Sequence, residues 1–218
     1  MANYFSYLPN LRYSSLLNER SNSTTFVEVK NLFRRAKLRE DFSATSTVFQ
    51  KYKIEGSDRP DQVAEKYYGS STFDWVVLLS NNIIDVRSEW PVSEYDLNIV
   101  LNDKYTQEQL VSIHHYETIE WRDFNNNLIV PPGKTVDENF TVTYTKGGFV
   151  ESVAPVRSVS VFEHELRLND AKRNIELIRA DLLSTVIKDM REIMRYTPNS
   201  NYITKTLKQT EPVRITGK

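Results

Sequence analysis

The chain has no cysteine, only three histidines and six glycines, and no surplus of either charge, since 28 Lys and Arg face 29 Asp and Glu. Without cysteine there is no disulfide, no thiolate nucleophile and no cysteine-based zinc site, which suits a chain that folds in a reducing cytoplasm. The balanced charge lacks the basic excess of a protein whose affinity rests on phosphate contacts. No apolar run approaches the roughly 20 residues that span a bilayer. The opening "MANYFSYLPNLRYSS" has no basic segment followed by an apolar one, so neither membrane nor export is expected. The few glycines form no phosphate-cradling loop: "TKGGFV" reads as a hairpin turn, and "RSVSV" lacks the glycines of a nucleophile elbow. What is present is 39% apolar and 11% aromatic residues in a chain of 218, enough to bury the core of one large domain or two small ones. The sequons Asn22-Ser23-Thr24 and Asn139-Phe140-Thr141 matter only in a secreted protein.

Patterning divides the chain into five stretches. Residues 1–43 start with an aromatic, aperiodic arm that reads as ordering on another surface, or as an unpacked terminus. "FVEVKNLFRRAKLREDF" then places Val29, Leu32, Phe33 and Ala36 near one stripe of a short amphipathic helix, with a strand over its first residues as the alternative. Residues 44–112 begin with a strand ending at Ile54 and a break at Gly56. Ser57 or Asp58 is placed to cap a helix with Pro60 in its first turn, which stops at Gly69. Ser71 or Thr72 can cap a second helix, "FDWVVLLSNN", apolar on two stripes and so expected to be covered on both, by the rest of the chain or by a partner. Ser93 reads as the cap of a helix over Glu94–Leu101, with a further helix over Gln107–Ser112.

In residues 113–158 the period becomes two, and two hairpins are expected with turns at Asn125–Asn127 and Lys146–Gly148. Residues 159–196 return to helical spacing. A long amphipathic helix is expected there, with Leu182, Leu183, Val186, Ile187, Met190, Ile193 and Met194 along one seam. Residues 197–218 show no periodicity and read as an extended tail. The fold class is therefore α+β, a strand-helix-helix core with an added β-hairpin region and a long C-terminal amphipathic helix.

A search for chemistry finds little. His114 and His115 are adjacent on a strand, where neighbouring side chains point to opposite faces, so they read as a surface pair. Glu163, His164 and Glu165 lack the second histidine of a zinc-protease helix, because position 168 is Leu168. Glu55, Asp58 and Asp61 cluster near the glycine turn, where capping explains Asp58 and Asp61 more simply than glycosidase chemistry. No catalytic residue, no cofactor-binding residue and no metal ligand is assigned, and an enzyme is not expected.

The strand Tyr52-Lys53-Ile54, the turn at Gly56-Ser57-Asp58, the helix "DQVAEKYYG" and the second helix ending "LLSNN" resemble a LysM module. The final strand of such a module is missing, its place taken by "DVRSEWPVSEYD". A wider match runs from Phe26 to Arg195. Its most specific residues are Gly56, Arg59, Pro60, Ala64, Tyr68, Gly69, Trp75, Leu78, Leu79 and Asn81, with "NDAKRNIELI" near the end. Together these resemble the baseplate wedge protein family numbered fifty-three of T-even-like contractile-tailed phages. That resemblance implies a structural subunit that joins neighbouring wedges around the hub by protein contact, in a virion baseplate assembled in the host cytoplasm. Its partners would be other wedge proteins, including those of the adjacent wedge, with no nucleic acid, membrane or cofactor.

A LysM-type peptidoglycan-binding module is the alternative, with Tyr67, Tyr68 and Trp75 as stacking candidates. A nucleic-acid adaptor using Arg34, Arg35, Lys37 and Arg39 is a third. The candidate core or partner surface comprises Arg59, Tyr67, Tyr68, Phe73, Trp75 and Trp90, and the candidate seam Val186, Ile187, Met190 and Met194.

Overall fold

The computed structural model describes residues 3–14, 26–38 and 47–210. The chain is mixed α+β and divides into two units, one of Met1–Glu89 with Asn174–Lys218 and the other of Trp90–Arg173.

At the centre of the first unit is a strand-helix-helix-strand arrangement. The strand Phe49–Lys53 pairs antiparallel with Asn174–Ile178, a partner far along the chain. The turn at Gly56 adopts a left-handed φ of 53°, where a glycine has no steric penalty. The helix Pro60–Tyr68 then starts with Pro60 at its first position, and its cap is Arg59 rather than Ser57 or Asp58. Gln62 Oε1 accepts from the Arg59 backbone N–H at 2.9 Å, which satisfies a donor that the serine or aspartate was expected to serve. Gly69, with φ of 75°, ends the helix. Ser70, one residue earlier than expected, caps the 3-10 turn Ser71–Phe73 that leads into the helix Asp74–Ser80.

The chain itself covers most of that second helix, leaving Leu78 and Leu79 half-buried. Trp75, Val76 and Val77 are buried. The rings of Tyr4 and Tyr7 stand 6.3 and 5.6 Å from Trp75, so the short helix Tyr4–Tyr7 of the N-terminal arm closes one side.

The N-terminal arm is also part of a sheet. Its strand order is Tyr202–Thr204, Leu207–Gln209, Asn10–Ser14, Phe26–Lys30. Residues 15–23 of the expected arm lie outside the described residues. The amphipathic helix expected from Phe26 is instead the strand Phe26–Lys30, followed by a turn. Asn31 explains the change: its side-chain oxygen accepts from the Phe33 N–H at 3.2 Å, and this local turn competes with helix. The tail is likewise not simply extended, because Leu207–Gln209 pairs parallel with Asn10–Ser14 and antiparallel with Tyr202–Thr204. Strands of three residues are too short to show a period.

The long C-terminal helix is replaced by two helices of 11 residues, Val161–Ala171 and Leu183–Ile193, on either side of the strand Asn174–Ile178. "NIELI" alternates, with Ile175 and Leu177 buried and Asn174 and Glu176 exposed, and the β-partner outweighs the helical spacing around it.

In the second unit the expected helices form as Glu94–Lys104, capped by Ser93, and Gln107–Val111. Leu97, Leu101 and Leu110 make its buried cluster, with Phe162 and Leu166 packed against it. The sheet order is Val156–Ser160, Ile113–Thr118, Thr135–Val136, all antiparallel. Both hairpins form. Trp121–Arg122 pairs with Leu128–Val130, and Val142–Lys146 pairs with Phe149–Val153 across Gly147 and Gly148, both at positive φ. No helix among the described residues is long and apolar enough to cross a membrane.

Candidate functional site

The residues singled out in the strand-helix-helix region do not form one surface. Phe73 and Trp75 are buried core of the first unit, and Trp90 is buried in the second. Arg59 is exposed and grips Asp61 with two charge-assisted hydrogen bonds of 3.0 and 2.6 Å, which raise the guanidinium pKa and lower that of the carboxyl. Tyr67 is half-buried, donates to Gln50 Oε1 at 2.9 Å and meets the Tyr68 ring edge-on at 4.8 Å. Tyr68 donates to the Ile178 carbonyl at 2.8 Å, and burial pushes its phenol pKa up.

Tyr68 and Asn81 share a task. The Asn81 amide donates to the Glu176 carbonyl and accepts from the Glu176 N–H, both at 2.9 Å, so it mimics one rung of a β-ladder. Two side chains of the helical pair thus hold the strand Asn174–Ile178, which sits far away in sequence. The second unit repeats the device: Asn169, 3% exposed, accepts from the Val92 N–H at 2.9 Å and donates to its carbonyl at 3.0 Å.

On the helix Leu183–Ile193, Met190 is buried and Val186 and Ile187 are half-buried; Met194, just past the helix end, is buried too. Val186 and Met190 line a small apolar pocket of about 90 Å³ with Leu38, Phe49, Leu79 and Ile178. The basic residues before it are tied down. Arg34 donates to the Ile193 carbonyl at 2.8 Å, and Arg35 to Asn82 Oδ1 at 3.1 Å. Arg39 lies outside the described residues.

Electrostatics concentrates on Glu117, a buried carboxylate on the central strand of the second unit. Arg167 Nη1 reaches its Oε2 at 2.7 Å and Arg157 Nε its Oε1 at 2.6 Å. Arg167, then Arg157, hold its pKa down to about 2 against the desolvation that opposes them. Glu163 joins the same pair of guanidiniums.

The histidines correct the expectation that His114 and His115 diverge. In the ladder His115 pairs with Val159 but Ile113 pairs with Ser160, so His114 is the extra residue of a β-bulge. A bulge re-aims side chains, and here both rings turn to one side, with their Nδ1 atoms 2.9 Å apart. His164, in the first turn of the next helix, stacks on His114 at 4.0 Å. Burial, then the neighbouring His114 and His115, lower the His164 pKa. The three imidazoles could hold a metal, which sequence reasoning missed because the bulge arises only from pairing.

The sequence matches the family described as Base plate wedge protein 53 over residues 4–193. The chain belongs to that family. It is also similar to "Baseplate wedge protein gp53" of Enterobacteria phage T4, 23% identical over 197 residues that cover 87% of this chain and 95% of the relative. Membership places it among the structural proteins of the phage tail baseplate. The tie points Tyr68, Asn81 and Asn169 all fall inside the matched span.

Proposed function

We propose that the chain is a baseplate wedge subunit that joins neighbouring wedges into the ring around the hub, through contacts with other wedge proteins alone. The observation that carries this reading is the helix Glu94–Lys104, apolar on two faces. Leu97 and Leu101 are buried, whereas Tyr95, Ile99 and Val100 stand 75%, 52% and 53% exposed. Apolar side chains grouped on an outward helix face are the usual mark of a protein contact. Phe149 and Val150 on the second hairpin, and Phe33 at the turn after the first unit's edge strand, add further exposed apolar groups.

The strand-helix-helix core, closed by Asn174–Ile178, supports a LysM-like arrangement whose last strand arrives after the second unit instead of directly. In this reading the LysM-like part is a scaffold for protein contact. Trp75 and Phe73 are turned into the core, which counts against sugar stacking as in a peptidoglycan-binding module. The seam residues Val186 and Ile187 belong to the same scaffold, with the apolar pocket beside them as a second contact surface.

The experiment is size-exclusion chromatography with light scattering of the purified chain, alone and mixed with the other wedge proteins of its phage, beside peptidoglycan sedimentation. Co-elution as a stoichiometric complex without sedimentation is expected. Ile99→Asp should abolish co-elution while leaving the melting temperature unchanged. Sedimentation with peptidoglycan and no co-elution would overturn the reading.

A further inference from the structure

The chain has three histidines in 218 residues, and all three meet at one place in the second unit. Two come from the bulged strand and one from the first turn of the helix that follows the partner strand. One potential ligand nitrogen from each lies within 4.8 Å of the others. The neighbouring carboxylates are engaged elsewhere. Glu165 accepts from Lys104 and Tyr105, both at 2.8 Å, and Glu163 is paired with Arg157 and Arg167. Among the described residues the group placed to hold an ion here is the three imidazoles.

We propose that His114, His115 and His164 form a site for one divalent transition-metal ion, with Zn²⁺ as the ion to test. Imidazole nitrogen suits Zn²⁺, Cu²⁺ and Ni²⁺, whereas Mg²⁺ and Ca²⁺ require oxygen. Tetrahedral Zn²⁺ with nitrogens at about 2.0 to 2.1 Å sets its ligands roughly 3.3 Å apart. The present spacings, from 2.9 Å between the Nδ1 atoms of His114 and His115 up to 4.8 Å within the group, bracket that value, and small side-chain rotations reach it, which the exposed position of His114 permits. Such an ion would fasten the strand Ile113–Thr118 to the helix Val161–Ala171. Three protein ligands leave a fourth position for water or for a donor on a neighbouring molecule.

The test uses the full chain without an affinity tag, stripped of metal by a chelator and desalted. Titration with Co²⁺ should saturate at one equivalent with the strong visible bands of a four-coordinate ion, and Zn²⁺ should displace it. Mg²⁺ and Ca²⁺ should not. His114→Gln and His164→Gln, each with a wild-type circular dichroism spectrum, should weaken binding at least about tenfold, since even loss of a supporting outer residue costs that much. On the wild-type chain Zn²⁺ should protect all three histidines from diethyl pyrocarbonate, mapped by mass spectrometry. Failure to saturate, wild-type affinity in either variant, or labelling unchanged by Zn²⁺ would each overturn the proposal. These readouts need no partner protein, so they stand or fall apart from the wedge assignment.

Discussion

Replacing Glu117 by glutamine keeps the shape of the side chain, removes its charge from between Arg157 and Arg167, and turns one of its two accepting oxygens into an NH2 donor that faces a guanidinium. The carboxyl pKa falls from 4.5 to about 2 in the folded chain, which corresponds to an upper value of about 3 kcal/mol. The two guanidinium side chains are 46% and 39% exposed, so water screens them and a loss of about 1 to 2 kcal/mol is expected at pH 7. The sign follows from the depressed folded value. The charge contributes its stability fully above the unfolded pKa near 4.5, and that stability disappears as the pH falls toward 2. The assay is urea denaturation of wild type and Glu117→Gln, followed by circular dichroism from pH 7 to 3.5, with the difference taken at each pH so that other carboxylates cancel. The gap should be widest at pH 7 and should narrow by about a third to a half at pH 3.5. A gap below about 0.5 kcal/mol at pH 7, or one constant over this range, would refute the argument that the arginine pair holds an ionised carboxylate.

Three further outcomes can be measured in the same way. Trp75→Ala should cost about 3 to 5 kcal/mol, since it leaves a cavity beneath Tyr4 and Tyr7, and soluble yield should fall with it. Asn169→Ala takes the partner from the Val92 N–H, while the Val92 carbonyl keeps the Arg173 guanidinium at 3.3 Å, and should cost about 1 to 3 kcal/mol, read as a lower denaturation midpoint with an unchanged slope. Gly69→Ala should cost about 1 kcal/mol through backbone strain alone, because φ is 75° and an added methyl group would touch nothing within 4 Å. A thermal melt indistinguishable from wild type would contradict each.

Features set by neighbours in sequence were readable before the structure was known. Pro60 and Gly69 bracket a helix, Ser93 caps another, and Gly147-Gly148 turns a hairpin, each through the conformational limits of one or two residues. Asn31 belongs to the same local chemistry but is hard to read, because its turn lies inside a stretch whose apolar spacing also fits a helix. Features set by distant partners were not readable. The strand Asn174–Ile178 alternates clearly, yet it sits between two helical stretches and acquires its meaning only from Phe49–Lys53. The family-like residues Tyr68 and Asn81 could be noticed as a pattern, but not as anchors of that strand.

The histidine cluster shows how such distant effects arise from simple causes. Ser160 ends its strand and also caps the helix Val161–Ala171, with its hydroxyl accepting from the Glu163 N–H at 3.1 Å. A residue that must serve as a helix cap has to leave the regular ladder, since its backbone turns toward the helix while its side chain folds back onto the third residue. The ladder therefore slips between Val159 and Ser160, and the partner strand absorbs the slip as one extra residue, His114. The same cap starts the helix whose first turn carries His164. One serine thus places both the bulged pair and the third ring, which is why residues that alternate away from each other on a regular strand converge here.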